Sequence, residues 1–143
     1  MRFALALLVA LAVTGCASKS TQPIERTSYQ LGQEQVAVLG VPFLSEERGS
    51  VEHSKQWQGV LFGGMHHSYT KSPDYRLTEL YYGGLEGGAA LVILQEMAGN
   101  ATSPSRQSYS LDLNQNDTFQ IGRYRLQVLS ASQANMRFKV VSN

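Results

Sequence analysis

Three stretches of this chain hold residue types that could do chemistry. The first is His66-His67 in GGMHHSYT, with His53 as the third histidine. A zinc site takes three or four ligands, and neighbours on a strand point to opposite faces. The pair therefore reads as two exposed histidines at a turn, not as a metal site. The second is Asp112 to Asp117, DLNQND, which begins like a calcium loop. Such a loop needs Gly at its sixth position and Glu at its twelfth; here those positions hold Asp117 and Arg123. An Asx-rich turn between two strands is the expectation. The third is the glycine-rich run Gly83 to Gly88. Phosphate cradles join a strand to a helix N-terminus, whereas this run lies between two strand-like segments and no Gly-Lys-Ser/Thr follows, so a hairpin turn is expected. The G-x-S-x-G of a nucleophile elbow does not occur. No cofactor or metal is expected.

The C-terminal segment holds a denser group. Arg123 and Arg125 are out of phase with Tyr124, Leu126 and Val128, and Arg137 and Lys139 are out of phase with Met136, Phe138 and Val140. If these strands pair across 130–135, Arg123, Arg125, Arg137 and Lys139 share one outward face. Like charges side by side on a sheet are destabilising. Two answers are open. Carboxylates on a neighbouring strand, such as Glu79 or Glu96, could neutralise them. Alternatively the face takes an anionic ligand: lipid head groups, lipopolysaccharide, peptidoglycan carboxylates or an acidic protein.

The elements that must position these groups are strands. Gln35 to Leu39, Trp57 to Met65, Arg76 to Tyr82, Ala89 to Met97 and Gln107 to Leu113 are apolar or alternating runs bounded by turn residues. Phe119-Ile121, Tyr124-Leu126-Val128 and Met136-Phe138-Val140 alternate with period two. Residues 44–56 and 98–105 read as loops. No amphipathic helix is evident. One wet face per strand favours antiparallel pairing. The expected fold is all-β: a small antiparallel barrel or sandwich of seven or eight strands.

Composition narrows the function. From residue 16 onward 11 basic residues balance 11 acidic ones, which gives no support to nucleic-acid binding. Cys16 is the only cysteine. Before it, Met1-Arg2 is a short positive start and Phe3 to Val13 is an apolar run of eleven residues. That is too short to span a bilayer, which takes about 20 residues, and has the length of a signal-peptide core. Residues 1–15 are expected to be a cleaved signal, 16–28 (polar, with Pro23) a flexible tether, and 29–143 a single β domain.

Val13-Thr14-Gly15-Cys16 resembles the bacterial lipobox. The resemblance implies acylation of the Cys16 sulfur, cleavage after Gly15 and acylation of the new amino group. With Ala17 next, it implies the periplasmic face of an outer membrane. Acylation would consume the one thiol, and with it any disulfide or cysteine nucleophile.

Residues 76–141 are similar to small bacterial lipoproteins of unknown function with an E-L-x-Y-x-G strand, a Y-R-E strand, a Y-D-L strand and a G-x-R-I-x-V hairpin. The matching positions are Glu79, Leu80, Tyr82 and Gly84; Glu96; Tyr109, Asp112 and Leu113; and Gly122, Arg125, Leu126 and Val128. Gln95 stands where that pattern has Arg. The resemblance implies an address and an architecture but no activity. The functional expectation is a lipid-anchored, non-catalytic binding or accessory module of the cell envelope. A second reading is an inhibitor or immunity protein that pushes loop 44–56 or 98–105 into a secreted enzyme. A third is a hydrolase or metalloprotein.

Overall fold

A computed structural model describes residues 17–58 and 63–143. The signal segment 1–15, Cys16 and residues 59–62 lie outside the described residues. Among the described residues the chain is all-β, with ten strands and no helix. The strands form two antiparallel sheets in a sandwich-like arrangement, not a closed barrel. The larger sheet runs β1 (Ser18–Thr27), β3 (Pro42–Gln58), β5 (Arg76–Glu86), β6 (Ala89–Ala98), β7 (Ser105–Asp112), with β4 (Gly64–Lys71) also paired to β3. The smaller runs β2 (Glu34–Val38), β10 (Asn135–Ser142), β9 (Tyr124–Ala131), β8 (Thr118–Ile121).

The core is the alternation read in the sequence. Leu44, Leu80, Tyr82 and Val92 of the larger sheet and Ile121, Leu126, Phe138 and Val140 of the smaller are fully buried. Full burial of such side chains contributes about 1.5–3 kcal/mol each before entropy opposes it. Phe43 meets Phe138 edge-on with ring centroids 4.7 Å apart. The buried Tyr82 hydroxyl donates to the Ser132 carbonyl at 2.5 Å, so the core leaves it no unmet donor.

β3 outlasts this core. Its first part pairs with β5 from Pro42↔Tyr81 to Arg48↔Arg76. Its second part pairs with β4 from Val51↔Lys71 to Gln58↔Gly64. β1 accompanies it on the other side, from Thr27↔Glu46 to Ser18↔Lys55. The outer ends of β1, β3 and β4 therefore make a three-stranded arm that leaves the sandwich. The joint is built on Gly49, which has φ +117°. A Cβ there would lie 2.6 Å from the Asp74 carbonyl oxygen and from Tyr75 Cα. The Ser50 hydroxyl bonds Asp74 Oδ1 at 2.7 Å, the Tyr75 hydroxyl donates to Glu47 Oε1 at 2.8 Å, and Lys71 Nζ lies 4.4 Å from the Tyr75 ring centre.

Three expectations are corrected. Residues 18–27 are not a flexible tether but strand β1. Their polar, aperiodic sequence hid this because the strand is exposed along almost its whole length. Pro23 is tolerated because β1 is an edge strand. Residues 44–56 are not a loop but the middle of β3, which removes one of the two loops an inhibitor would insert; 98–105 does join β6 to β7. Trp57 to Met65 is not one bent strand: Trp57 ends near the close of β3, and Met65 lies at the start of β4. Ten strands instead of seven or eight follow from these changes.

Candidate functional site

The sandwich holds one carboxylate where apolar packing would be expected. Leu44, Glu46 and Arg48 alternate along β3, so all three face the smaller sheet. Leu44 is covered by the core, and Glu46 is 1% exposed. Its Oε2 accepts hydrogen bonds from the Tyr124 hydroxyl at 2.9 Å and the Tyr29 hydroxyl at 3.1 Å. Its Oε1 forms ion pairs with Arg48 and Arg123. Burial alone would raise the carboxyl pKa. The hydrogen bonds from Tyr124 and Arg123, with the charges of Arg123 and Arg48, more than reverse this and hold it below the ordinary range. Burial, offset in part by the Arg123 hydrogen bond and reinforced by the Glu46 carboxylate, pushes Tyr124 up to about 12. Glu46 is thus a permanent anion and Tyr124 a permanent donor at neutral pH. This pairing suits holding cations in place; it does not suit moving a proton.

Arg123 reaches Glu46 from the turn between β8 and β9. Gly122 takes the positive φ of that turn, +56°, and the Arg123 guanidinium crosses the Tyr124 ring at 5.1 Å. Outside Glu46 lies an open groove of about 530 Å³. Its walls include Arg48, Arg76, Thr78, Glu96 and Arg123, with the 98–105 loop contributing Ala101 and Ser103. Arg48 and Arg76 are direct cross-strand partners, an arrangement of like charges that costs stability unless an anion answers it. Arg48 has Glu46. Arg76 makes no ion pair among the described residues; its Nη1 donates to the Pro73 and Tyr75 carbonyls at 2.7 Å each.

The expected four-cation face is therefore broken up. Arg125, Arg137 and Lys139 do lie on the solvent side of the smaller sheet, out of phase with its buried residues. Arg137 is paired with Glu34, which is also the β2 partner of Lys139. Arg123 leaves them for Glu46. The neutralising carboxylates are thus Glu34 and Glu46, not Glu79 or Glu96. Glu79 accepts a hydrogen bond from Tyr81 at 2.7 Å on the opposite face of the larger sheet, and Glu96 lines the groove.

The histidines also regroup. His66 and His67 sit on β4, not in a turn, and face opposite ways as strand neighbours must. His67 joins His53 across β3–β4, with Nδ1 3.0 Å from His53 Nε2. Tyr69 stacks on His53 at 4.4 Å. No group of three or more metal-ligating side chains occurs among the described residues. Asp112 accepts from the Asn114 amide at 3.0 Å and caps the turn between β7 and β8, as an Asx turn does.

Fold and groove define a small all-β protein of two facing sheets with a basic groove at one end of the sandwich. No family model, curated protein or solved structure matches the chain.

Proposed function

We propose that the chain is a lipid-anchored lipoprotein of the cell envelope, attached through Cys16 on the periplasmic face of an outer membrane, and that it works by non-covalent recognition of an anionic group. The anchor rests on the VTGC motif after an apolar run of signal length. Recognition rests on one observation above the others: Arg76 faces Arg48 across the groove floor with no carboxylate of its own. A carboxylate entering the groove would complete that arrangement, with guanidinium forks offering paired donors. This moves the anionic-ligand site from the outer hairpin face to the groove, and of the four cations first considered it keeps Arg123. Carboxylate-bearing wall fragments and acidic envelope proteins both present such a group.

Two measurements test the reading. Cys16→Ala should release the protein from the membrane fraction; unchanged association would remove the anchor. Arg76→Glu should reduce retention of soluble peptidoglycan fragments or of a cross-linked envelope protein at least tenfold, and unaltered retention of both would remove the groove.

A further inference from the structure

We propose that the three-stranded arm is a membrane-contacting element whose tip enters the interface of an anionic bilayer. The inference deepens the lipid-anchor reading and rests on it. β1 starts at Ser18, opposite Lys55. Two residues of chain, at most about 7 Å, separate Ser18 from Cys16. Trp57 and Met65 are cross-strand partners one same-face row further out, again about 7 Å along the strand. A lipid on Cys16 would thus begin within about 7 Å of Ser18, at the end of β1 away from the sandwich. With β1 paired along its full length, no slack remains to hold the tip away from the surface.

The tip has the chemistry for that position. Trp57 is 50% exposed and Met65 55% exposed. The next same-face row is Lys55 and His67, and the row behind it His53 and Tyr69, with Tyr69 66% exposed. An indole at the acyl boundary with the Lys55 ammonium one row above it matches the layering of a membrane interface, where Trp and Tyr sit at headgroup level and long cationic side chains reach the phosphates. Over residues 18–22, 51–58 and 64–71 the arm carries Lys19, Lys55 and Lys71 against one carboxylate, Glu52. Glu52 and Lys19 lie on the other face from Lys55 and Trp57, and Lys71 lies at the base of the arm, so Lys55 is the cation beside the tip on the face of Trp57. Each cation near an anionic surface strengthens partitioning roughly fivefold.

Trp57 is the only tryptophan of the chain, so its fluorescence reads the tip alone. The experiment uses the native protein purified from membranes, with acylation of Cys16 read by mass, reconstituted into phosphatidylethanolamine–phosphatidylglycerol vesicles containing brominated lipid. Bromine at shallow acyl positions should quench Trp57 by at least half, and deep bromine should quench it less. Lys19→Glu with Lys55→Glu should cut the shallow quenching at least threefold while the acylated protein stays in the vesicles. Acylated protein with unquenched Trp57 overturns the tip contact and leaves the anchor standing. If the mass shows no acyl chains, the anchor reading fails. The same vesicles added to that protein then decide the tip, quenching upholding it and its absence overturning it. A Trp57 shift that follows protein concentration and ignores lipid assigns the tip to a second copy of the chain and also overturns the proposal.

Discussion

β3 passes through two environments. Over 42–48 it pairs with β5, joined by β1 on the other side from Glu46 onward, and lies under a second sheet, and Leu44 and Glu46 are fully buried there. Over 51–58 it pairs with β4, and with β1 on its other side as far as Lys55, but no described strand lies above it, and His53 is the buried side chain. Backbone pairing is alike in both halves. What differs is apolar burial, the larger favourable contribution to folding. The body is stabilised by its core. The arm is stabilised by cross-strand contacts worth a few tenths of a kcal/mol to about 1 kcal/mol each, such as the stack of His53 on Tyr69 and the 2.6 Å hydrogen bond between Ser54 and Ser68. Two levels of local stability should therefore coexist in one sheet.

Breaking the core is the strongest test. Phe138→Ala removes a fully buried ring in contact with Phe43 and should cost about 4 kcal/mol in urea denaturation. Tyr69→Ala, on the exposed face of the arm, should cost well under 1 kcal/mol. Comparable losses would mean that arm and body unfold as one unit.

Gly49→Ala attacks the boundary between them. The substitution forces φ +117° on an L-residue and pushes its Cβ into the backbone of Asp74 and Tyr75. The expected cost is about 3 kcal/mol. Amide exchange should rise along 50–58 and 64–71, with core protection retained. An even rise everywhere would show that the joint supports the body as well.

The same contrast governs what could be read in the sequence. Body strands alternate because one face is dry, as in Tyr124, Leu126, Val128 and Met136, Phe138, Val140, and their existence was legible. The strands of the arm are wet on both faces, so SKSTQ and VEHSKQ carry no period and looked like linker and loop. Glu46 lies in the buried half of the strand that runs on into the arm, and it is hidden along with the wet half. Once residues 44–56 are taken as a loop, nothing places a carboxylate in the core. The available signal was phase, since a strand that buries Leu44 must turn Glu46 and Arg48 the same way. That Arg123 would leave its hairpin neighbours depended on Glu46, 77 positions away by residue number, and no local pattern encodes such a contact.

Glu46→Gln sharpens the view of the body. It takes the charge from between Arg48 and Arg123 and weakens the acceptor for Tyr29 and Tyr124. Breaking a fully buried pair costs about 3–5 kcal/mol. Both arginines are nearly half exposed, so water takes up part of the loss and about 2 kcal/mol is expected. The pH dependence has a definite sign. The folded carboxyl pKa is lowered from 4.5, so its stabilisation is complete above the unfolded value and is lost as pH falls through the folded one. Stability of the native protein should decline below about pH 4.5, and the Gln variant should show a shallower decline.

The smallest expected effect is also the most local. Burial, reinforced by the charges of His67 and Lys55, lowers the His53 pKa from 6.5. A histidine whose folded pKa is depressed resists protonation, so the arm keeps its full stability above pH 6.5 and loses some as pH falls through the lower folded value. Protonating His53 also fixes its Nε2 as a donor in the 3.0 Å contact with His67 Nδ1 and removes its acceptor role there. The arm should therefore begin to loosen at a higher pH than the body does, because loss linked to His53 sets in below 6.5 and loss linked to Glu46 below 4.5. Nuclear magnetic resonance can follow both events in one sample, through the His53 ring shifts and the amide exchange of 51–58 against 124–128. His53→Phe keeps a flat ring under Tyr69 without a titrating group, and should abolish the acid loosening of the arm while leaving the body's acid transition in place. If the arm loosened equally in that variant, the histidine pair would have no part in setting its stability.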